Sequence, residues 1–276
     1  MTPEISEFSY GFALTNEIVG WASIGAAPLF PSLIEEGKAG GGYDVKLDMP
    51  AAPLYLQFKR ADCMTRRNAG EISEHNLTLS IPFYRFKITE SDKSDQHELL
   101  LALDDGSALV YYAAPRFHEL AEINEAWRTN SVASRSVFVA PSTIGGLDSA
   151  SHHVAYDDND AWLCSEPKRI QILNSGGLVE KLRLAIDRDH RSLREKLPEF
   201  LNSLRSAERL ARSRIAERGQ DLAYPLERLE PTIRPDLAIP TRRPRDLSES
   251  EQQLREAADM AGRLFNTQLI IVQPTS

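Results

Sequence analysis

The sequence predicts a mixed α+β fold, with a mixed central sheet flanked by helices and a helical region at the C-terminal end. Three observations carry this prediction. Short β-rich runs alternate with helical ones up to about residue 170, helical periodicity dominates after it, and Gly and Pro punctuate the first part. Hydrophobic residues make up 42% and charged residues 26% of the 276 positions, which is ordinary for a globular protein and excludes wholesale disorder. We therefore expect one unit over residues 1–170 and a helical region over 171–276, the latter crossed by a linker at 221–247 that carries Pro225, Pro231, Pro235, Pro240 and Pro244.

In chain order, the aromatic alternation of Phe8 to Leu14 reads as a short strand, and Thr15 as the N-cap of a helix running to Trp21. Ser32 to Glu36 reads as a helical turn that stops at Gly40-Gly41-Gly42. Tyr43 to Leu47 and Leu54 to Lys59 alternate strictly around Met49-Pro50-Ala51-Ala52-Pro53 and read as a hairpin. Residues 60–80 are polar and irregular. Phe83–Ile88 is a strand, Ser94-Asp95-Gln96-His97 opens a helix to Leu103, and Ala108–Ala114 is a buried strand. A helix at Phe117–Trp127 and a strand at Val137–Ala140 follow, with residues 141–161 as a loop. Beyond Gly177, Leu193, Leu197, Phe200, Leu204, Ala207 and Ala211 form an apolar helical stripe. Pro198 must kink that helix or start a new one. Glu251–Phe265 is a last amphipathic helix, and Gln268–Val272 a short strand.

Several functional classes fall away. No apolar run reaches the roughly 18 residues of a membrane span, and the N-terminal stretch has no basic region leading into an apolar one, so we expect no membrane and a cytoplasmic location. Cys63 and Cys164 are too few for a disulfide framework or a thiolate zinc site. A net charge of −8, from 32 Lys+Arg against 40 Asp+Glu, excludes a uniformly basic coat but not a local phosphate-facing surface. Ten arginines between Arg205 and Arg245 are either such a surface or a solvated face paired with its glutamates. His152-His153 beside Asp157-Asp158 lacks a third metal ligand at a standard spacing.

The chemistry concentrates in Glu35-Glu36, Gly42-Tyr43-Asp44 and Leu56-Gln57-Phe58-Lys59. In the predicted hairpin, Asp44, Gln57 and Lys59 fall on one face and the apolar residues on the other. A carboxylate and an amide oxygen are hard ligands suited to Mg²⁺ (or Mn²⁺), which takes the rest of its shell from water and substrate phosphate. An adjacent lysine orients the attacking water and stabilises developing charge. Glu36, eight residues before Asp44, is within reach of the same ion. The alternative is that these residues form the solvent side of an edge hairpin, with cross-strand Asp–Lys pairing.

Asp44, the twelve-residue gap and Gln57-Phe58-Lys59 resemble the motif of the PD-(D/E)xK nuclease superfamily in its glutamine variant, and the predicted element order resembles that superfamily's restriction-endonuclease-like αβββαβ core. The resemblance implies Asp44 as metal carboxylate, Gln57 as second ligand, Lys59 as catalytic lysine, Glu36 as the helix-borne acid and the Phe58 carbonyl as a further ligand. The sequence departs from the pattern where Tyr43 replaces the proline and Gln57 the acid, removing one negative charge. Beside the motif, Arg60, Arg66 and Arg67 form a basic patch for a nucleic-acid backbone. Gln96 and His97 open the helix bordering the expected cleft, as phosphate contacts or proton-transfer groups or as a capped helix start. The implied activity is metal-dependent phosphodiester hydrolysis, on DNA in preference to RNA, in a bacterial (antiviral) defence or DNA-processing system. The alternative is a catalytically weakened protein of the same fold that acts as a scaffold in a larger complex. The C-terminal helices would serve a homodimer or partner contact, hold substrate, or pack on the chain's own core.

Overall fold

The computed structural model describes residues 1–21, 25–29, 45–66, 69–73, 77–104, 106, 108–217 and 248–274. The first element is a helix, α1 (Glu7–Val19), where aromatic alternation predicted a strand. Ser6 Oγ accepts the Ser9 amide at 3.0 Å as N-cap, so Thr15 lies inside the helix rather than capping it. Tyr10, Leu14 and Ile18 are buried while Phe8 and Phe12 are exposed, a separation that a helix makes and a strand, which would put Phe8, Tyr10 and Phe12 on one face, does not.

Strands β1 (Gly25–Leu29) and β2 (Ala52–Phe58) follow. The polar stretch after them holds β3 (Asp62–Met64) and a short helix, α2 (Gly70–Ser73). Next come β4 (Phe83–Ile88), α3 (Gln96–Leu103), β5 (Leu109–Pro115), α4 (Leu120–Arg128) and β6 (Ser136–Val139), in the expected order. Residues 141–161 are not a loop: they form α5 (Pro141–Ile144), β7 (His152–Tyr156) and the start of β8 (Ala161–Leu163). The chain continues through β9 (Lys168–Ile170), α6 (Ser175–Arg188), α7 (Leu193–Glu217), α8 (Glu249–Arg263) and β10 (Gln268–Gln273). Pro198 lies inside α7, which does not restart there. The expected helical turn at Ser32–Glu36, the Gly40–Gly42 breaker and the linker at 221–247 lie outside the described residues.

Two five-stranded sheets organise these elements. The first runs β1-β10-β2-β5-β6, with β2 and β5 parallel and the other pairs antiparallel. The second, β3-β4-β7-β8-β9, is antiparallel throughout. The β2–β5 pair needs a crossover, and α3 lies within it.

The predicted hairpin does not form. Both edges of β2 are taken, by β10 on one side and β5 on the other, and Val45 to Met49 is turn and coil. The physical reason lies in what each segment offers: Leu269 to Val272 is an uninterrupted apolar run, buried on both faces. The 45–50 segment instead docks by single bonds. The Gln273 amide brackets Lys46, its Oε1 accepting from Lys46 N at 2.9 Å and its Nε2 donating to Lys46 O at 2.8 Å. The carbonyls of Leu47 and Met49 accept the Arg194 and Leu193 amides, covering the open N-terminus of α7.

One face of the first sheet, bearing Tyr55, Val110, Tyr112, Leu269 and Ile271, packs with Phe86, Val154 and Tyr156 of the second sheet and with α3, α7 and α8. The opposite face, bearing Leu54, Leu56, Tyr111, Ala113 and Ile270, is covered by α1, α4 and α6. The apolar stripe of α7 is consumed here: Leu193, Leu197, Leu201, Leu204, Ala207, Ala211 and Ile215 are all buried in the chain's own core, which removes the stripe as a dimer surface. The change of character near residue 170 likewise separates nothing from the sheet, since β10 is one of its inner strands.

Candidate active site

Strand β2 is an inner strand, so both its faces are buried, including the polar one expected to meet solvent. Tyr55, Gln57 and Lys59 share the face toward the second sheet, and Leu54, Leu56 and Phe58 the face toward α1. The Lys59 amide extends the parallel ladder by donating to the Ala113 carbonyl at 2.9 Å. In register, Gln57 stands beside Tyr112.

Gln57 is only 3% exposed, and its Oε1 is buried without a hydrogen-bond donor. Lys59 is 7% exposed, and its Nζ lies over the Tyr112 ring, 5.5 Å from the centroid. Burial pushes the Lys59 amine below the ordinary lysine range, and the charge of Glu7, in the first turn of α1, partly opposes that. Among the described residues no carboxylate and no carbonyl binds this ammonium. The other buried lysine differs. Lys196 donates to the carbonyls of Ala51 at 2.9 Å and Asp189 at 2.7 Å, with the Asp189 carboxylate at 3.5 Å.

His97 enters from α3 and is tied on both ring nitrogens. Nε2 lies 2.8 Å from the Gly145 carbonyl, which can only accept, so Nε2 carries the hydrogen. Nδ1 then accepts from the Tyr112 hydroxyl at 2.8 Å, a hydroxyl that burial keeps protonated. Burial lowers the His97 pKa and holds the ring neutral. The expected phosphate contact or proton transfer by His97 is therefore corrected: both nitrogens hold β5 and the α5 turn in place. Gln96 similarly turns its amide to the Phe265 carbonyl at 3.4 Å, linking α3 to the end of α8.

Arg60 and Arg66 are exposed beyond the end of β2, while Arg67, Asp44 and Glu36 lie outside the described residues. Phe58 turns its ring away from Gln57, edge-on to Tyr10 with centroids 6.0 Å apart and against Gly11. The donor set fits a hard divalent ion in one respect, since the orphaned oxygen of Gln57 is the kind of ligand such an ion takes. Among the described residues, no group of three His, Cys, Asp or Glu side chains is arranged to hold a metal.

The histidine–aspartate stretch resolves into structural bonds. The carboxylate of Asp148 accepts from His152 Nε2 at 2.8 Å, so Nδ1 receives the Ser165 hydroxyl at 2.6 Å. This Ser–His–Asp chain ties the β8–β9 hairpin to the loop after α5, and the cavity beside Asp148 holds only about 10 Å³. Asp157 accepts the amides of Ser80, Asn159 and Asp160, and Asp158 pairs with Arg116. Three of the described arginines in the 205–245 run pair with acids, Arg205 with Glu256, Arg212 with Glu208 and Arg214 with Glu98 on α3, while Arg209 donates to the Ser206 hydroxyl.

Sequence reasoning missed Glu7 and Tyr112. Glu7 was hidden by reading its segment as a strand, although Ser6 followed by an acid is a helix-start signal. Tyr112 became visible only through the parallel register of β2 and β5. Compared with protein-family models, curated proteins and solved structures, the chain finds no match in any of the three.

Proposed function

We propose that the chain is a divalent-metal-dependent nuclease that hydrolyses phosphodiester bonds, in DNA in preference to RNA, at the end of β2. One observation supports the reading most: a buried oxygen without a donor and a buried ammonium that no carboxylate among the described residues pairs with sit two residues apart on one strand face. Left alone, each costs about 1–3 kcal/mol or more in desolvation. An oxygen of that kind takes a cation and an ammonium takes an anion, and a metal ion with a phosphate supplies both. Packing alone would favour leucine and methionine here.

In this reading Gln57 Oε1 and the Phe58 carbonyl, with the carboxylates of Asp44 and Glu36, would hold Mg²⁺ or Mn²⁺. The ion would supply charge neutralisation at the phosphate and a more acidic water. Lys59 holds a non-bridging phosphate oxygen and orients the attacking water, its lowered pKa making the ammonium a ready proton donor. Tyr112 buttresses the ammonium from below. Arg60 and Arg66 receive the neighbouring phosphates.

The test is supercoiled plasmid incubated with purified protein and Mg²⁺ or Mn²⁺, with EDTA and Lys59→Met as controls. Nicking that needs the metal and is lost in Lys59→Met is the expected outcome. Nicking that survives the substitution, or none with either metal, overturns it, and the second result leaves the scaffold role.

A further inference from the structure

Helices α1 and α4 run side by side in the same direction. The Glu4 amide donates to the His118 carbonyl at 2.8 Å and the Leu120 amide to Glu4 Oε2 at 3.3 Å, joining the two starts. The Val132 amide donates to Glu17 Oε2 at 2.7 Å, joining the two ends. The rings of Phe12 and Trp127 meet edge-on across the pair with centroids 6.2 Å apart, and Phe8 lies one turn before Phe12 on the same face of α1. These four side chains point outward: Phe8 is 83% exposed, Phe12 57%, Leu120 55% and Trp127 47%. At about 150–250 Å² for a whole aromatic side chain, they leave roughly 500 Å² of apolar surface on one face, the size of the largest and often functional patch of a monomer.

We infer that this face is the interface of a homodimer, two copies joined about a two-fold axis that lies in the interface and runs perpendicular to the helices. The area suits that occupant. Two such patches remove roughly 1,000 Å² of apolar surface, and at the ~65% apolar share of homodimer interfaces the whole contact reaches about 1,500 Å², within the standard range. The charges at the rim select a second copy over a uniformly basic or acidic partner. Exposed Glu7 and Glu119 stand at the start of the face, and Arg128, with 77% of its side chain exposed and one guanidinium nitrogen 3.2 Å from Glu125, stands at the end with its other nitrogens open to a second acid. A two-fold axis reverses the helices, so the acids of one copy meet Arg128 of the other and the helix dipoles oppose. The inference is independent of the nuclease reading.

Sedimentation velocity across the micromolar range tests it. The wild-type chain should sediment at twice its 30.9 kDa mass. Phe12→Asp and Trp127→Asp should each give a monomer with an unchanged circular dichroism spectrum, since both side chains are exposed, and Arg128→Glu should raise the dissociation constant at least several-fold. Leu210→Asp, on the exposed side of α7, should leave the dimer intact. A wild-type chain that stays monomeric overturns the proposal, as does a dimer that survives Phe12→Asp or Trp127→Asp.

Discussion

The Tyr112 hydroxyl donates to Nδ1 of His97 at 2.8 Å, and this contact joins the helix above the Gln57–Lys59 face to the strand beside it. Tyr112→Phe removes the donor and leaves a buried imidazole nitrogen unpaired. The expected cost is about 1–3 kcal/mol, read as a lower midpoint in urea with an unchanged slope.

The same histidine makes stability depend on pH with a definite sign. Its folded-state pKa is lowered from the ordinary 6.5, first by burial, so the unfolded chain binds the extra proton more readily. The contribution of the neutral ring is complete above pH 6.5 and is lost as pH falls through the lower folded value. Unfolding titrations at neutral and mildly acidic pH should show this loss in the wild type, with a shallower slope in His97→Gln.

Gln57 sets stability against function. Gln57→Leu removes the orphaned oxygen and should raise stability by about 1 kcal/mol while abolishing nicking. Gln57→Glu restores a negative charge beside Lys59 and should lower the Mg²⁺ concentration for half-maximal nicking. Loss of stability in the leucine variant would mean that the amide is held by a bond the site does not use.

Gly11 is where α1 comes closest to β2. A Cβ there would stand 2.5 Å from Cδ2 and 2.7 Å from Cε2 of Phe58, a ring already wedged against Tyr10. Gly11→Ala should cost about 1–3 kcal/mol despite its better helix propensity, measurable by thermal unfolding.

How much of this was legible in sequence follows from the range of the forces involved. Strands β2, β4, β5 and β6, helices α3 and α8, and the α7 stripe were readable because local periodicity carries them. Residues Phe8 to Leu14 misled because Phe8, Tyr10 and Phe12 alternate as in a strand, while the helix turns Tyr10 inward and leaves the two phenylalanines out. The partner of β2 was illegible for a different reason: β10 pairs with it across some two hundred residues, and its uninterrupted apolar run outcompetes the adjacent Tyr43–Leu47 run only once β2 is known to be an inner strand. The shared face of Gln57 and Lys59 survived the error, because alternation within one strand does not depend on its neighbours. Their burial did not, because burial depends on all of them.

The two lysines buried among the described residues allow a comparison within one molecule. Burial lowers the pKa of both Lys59 and Lys196. Lys196 satisfies the carbonyls of Ala51 and Asp189, so Lys196→Met strands one buried and one half-buried acceptor and should cost about 1–3 kcal/mol. Lys59 satisfies no such group among the described residues, so Lys59→Met keeps the stem against Tyr112, removes a desolvated charge and should stabilise the fold by about 1 kcal/mol at neutral pH. Because the depressed pKa favours the neutral amine in the fold, the wild type should recover part of that difference as pH rises toward 10.5. Parallel urea titrations of the three proteins at neutral and alkaline pH decide the matter. Equal destabilisation by both substitutions would make Lys59 an ordinary structural lysine and remove the basis for assigning it to the reaction.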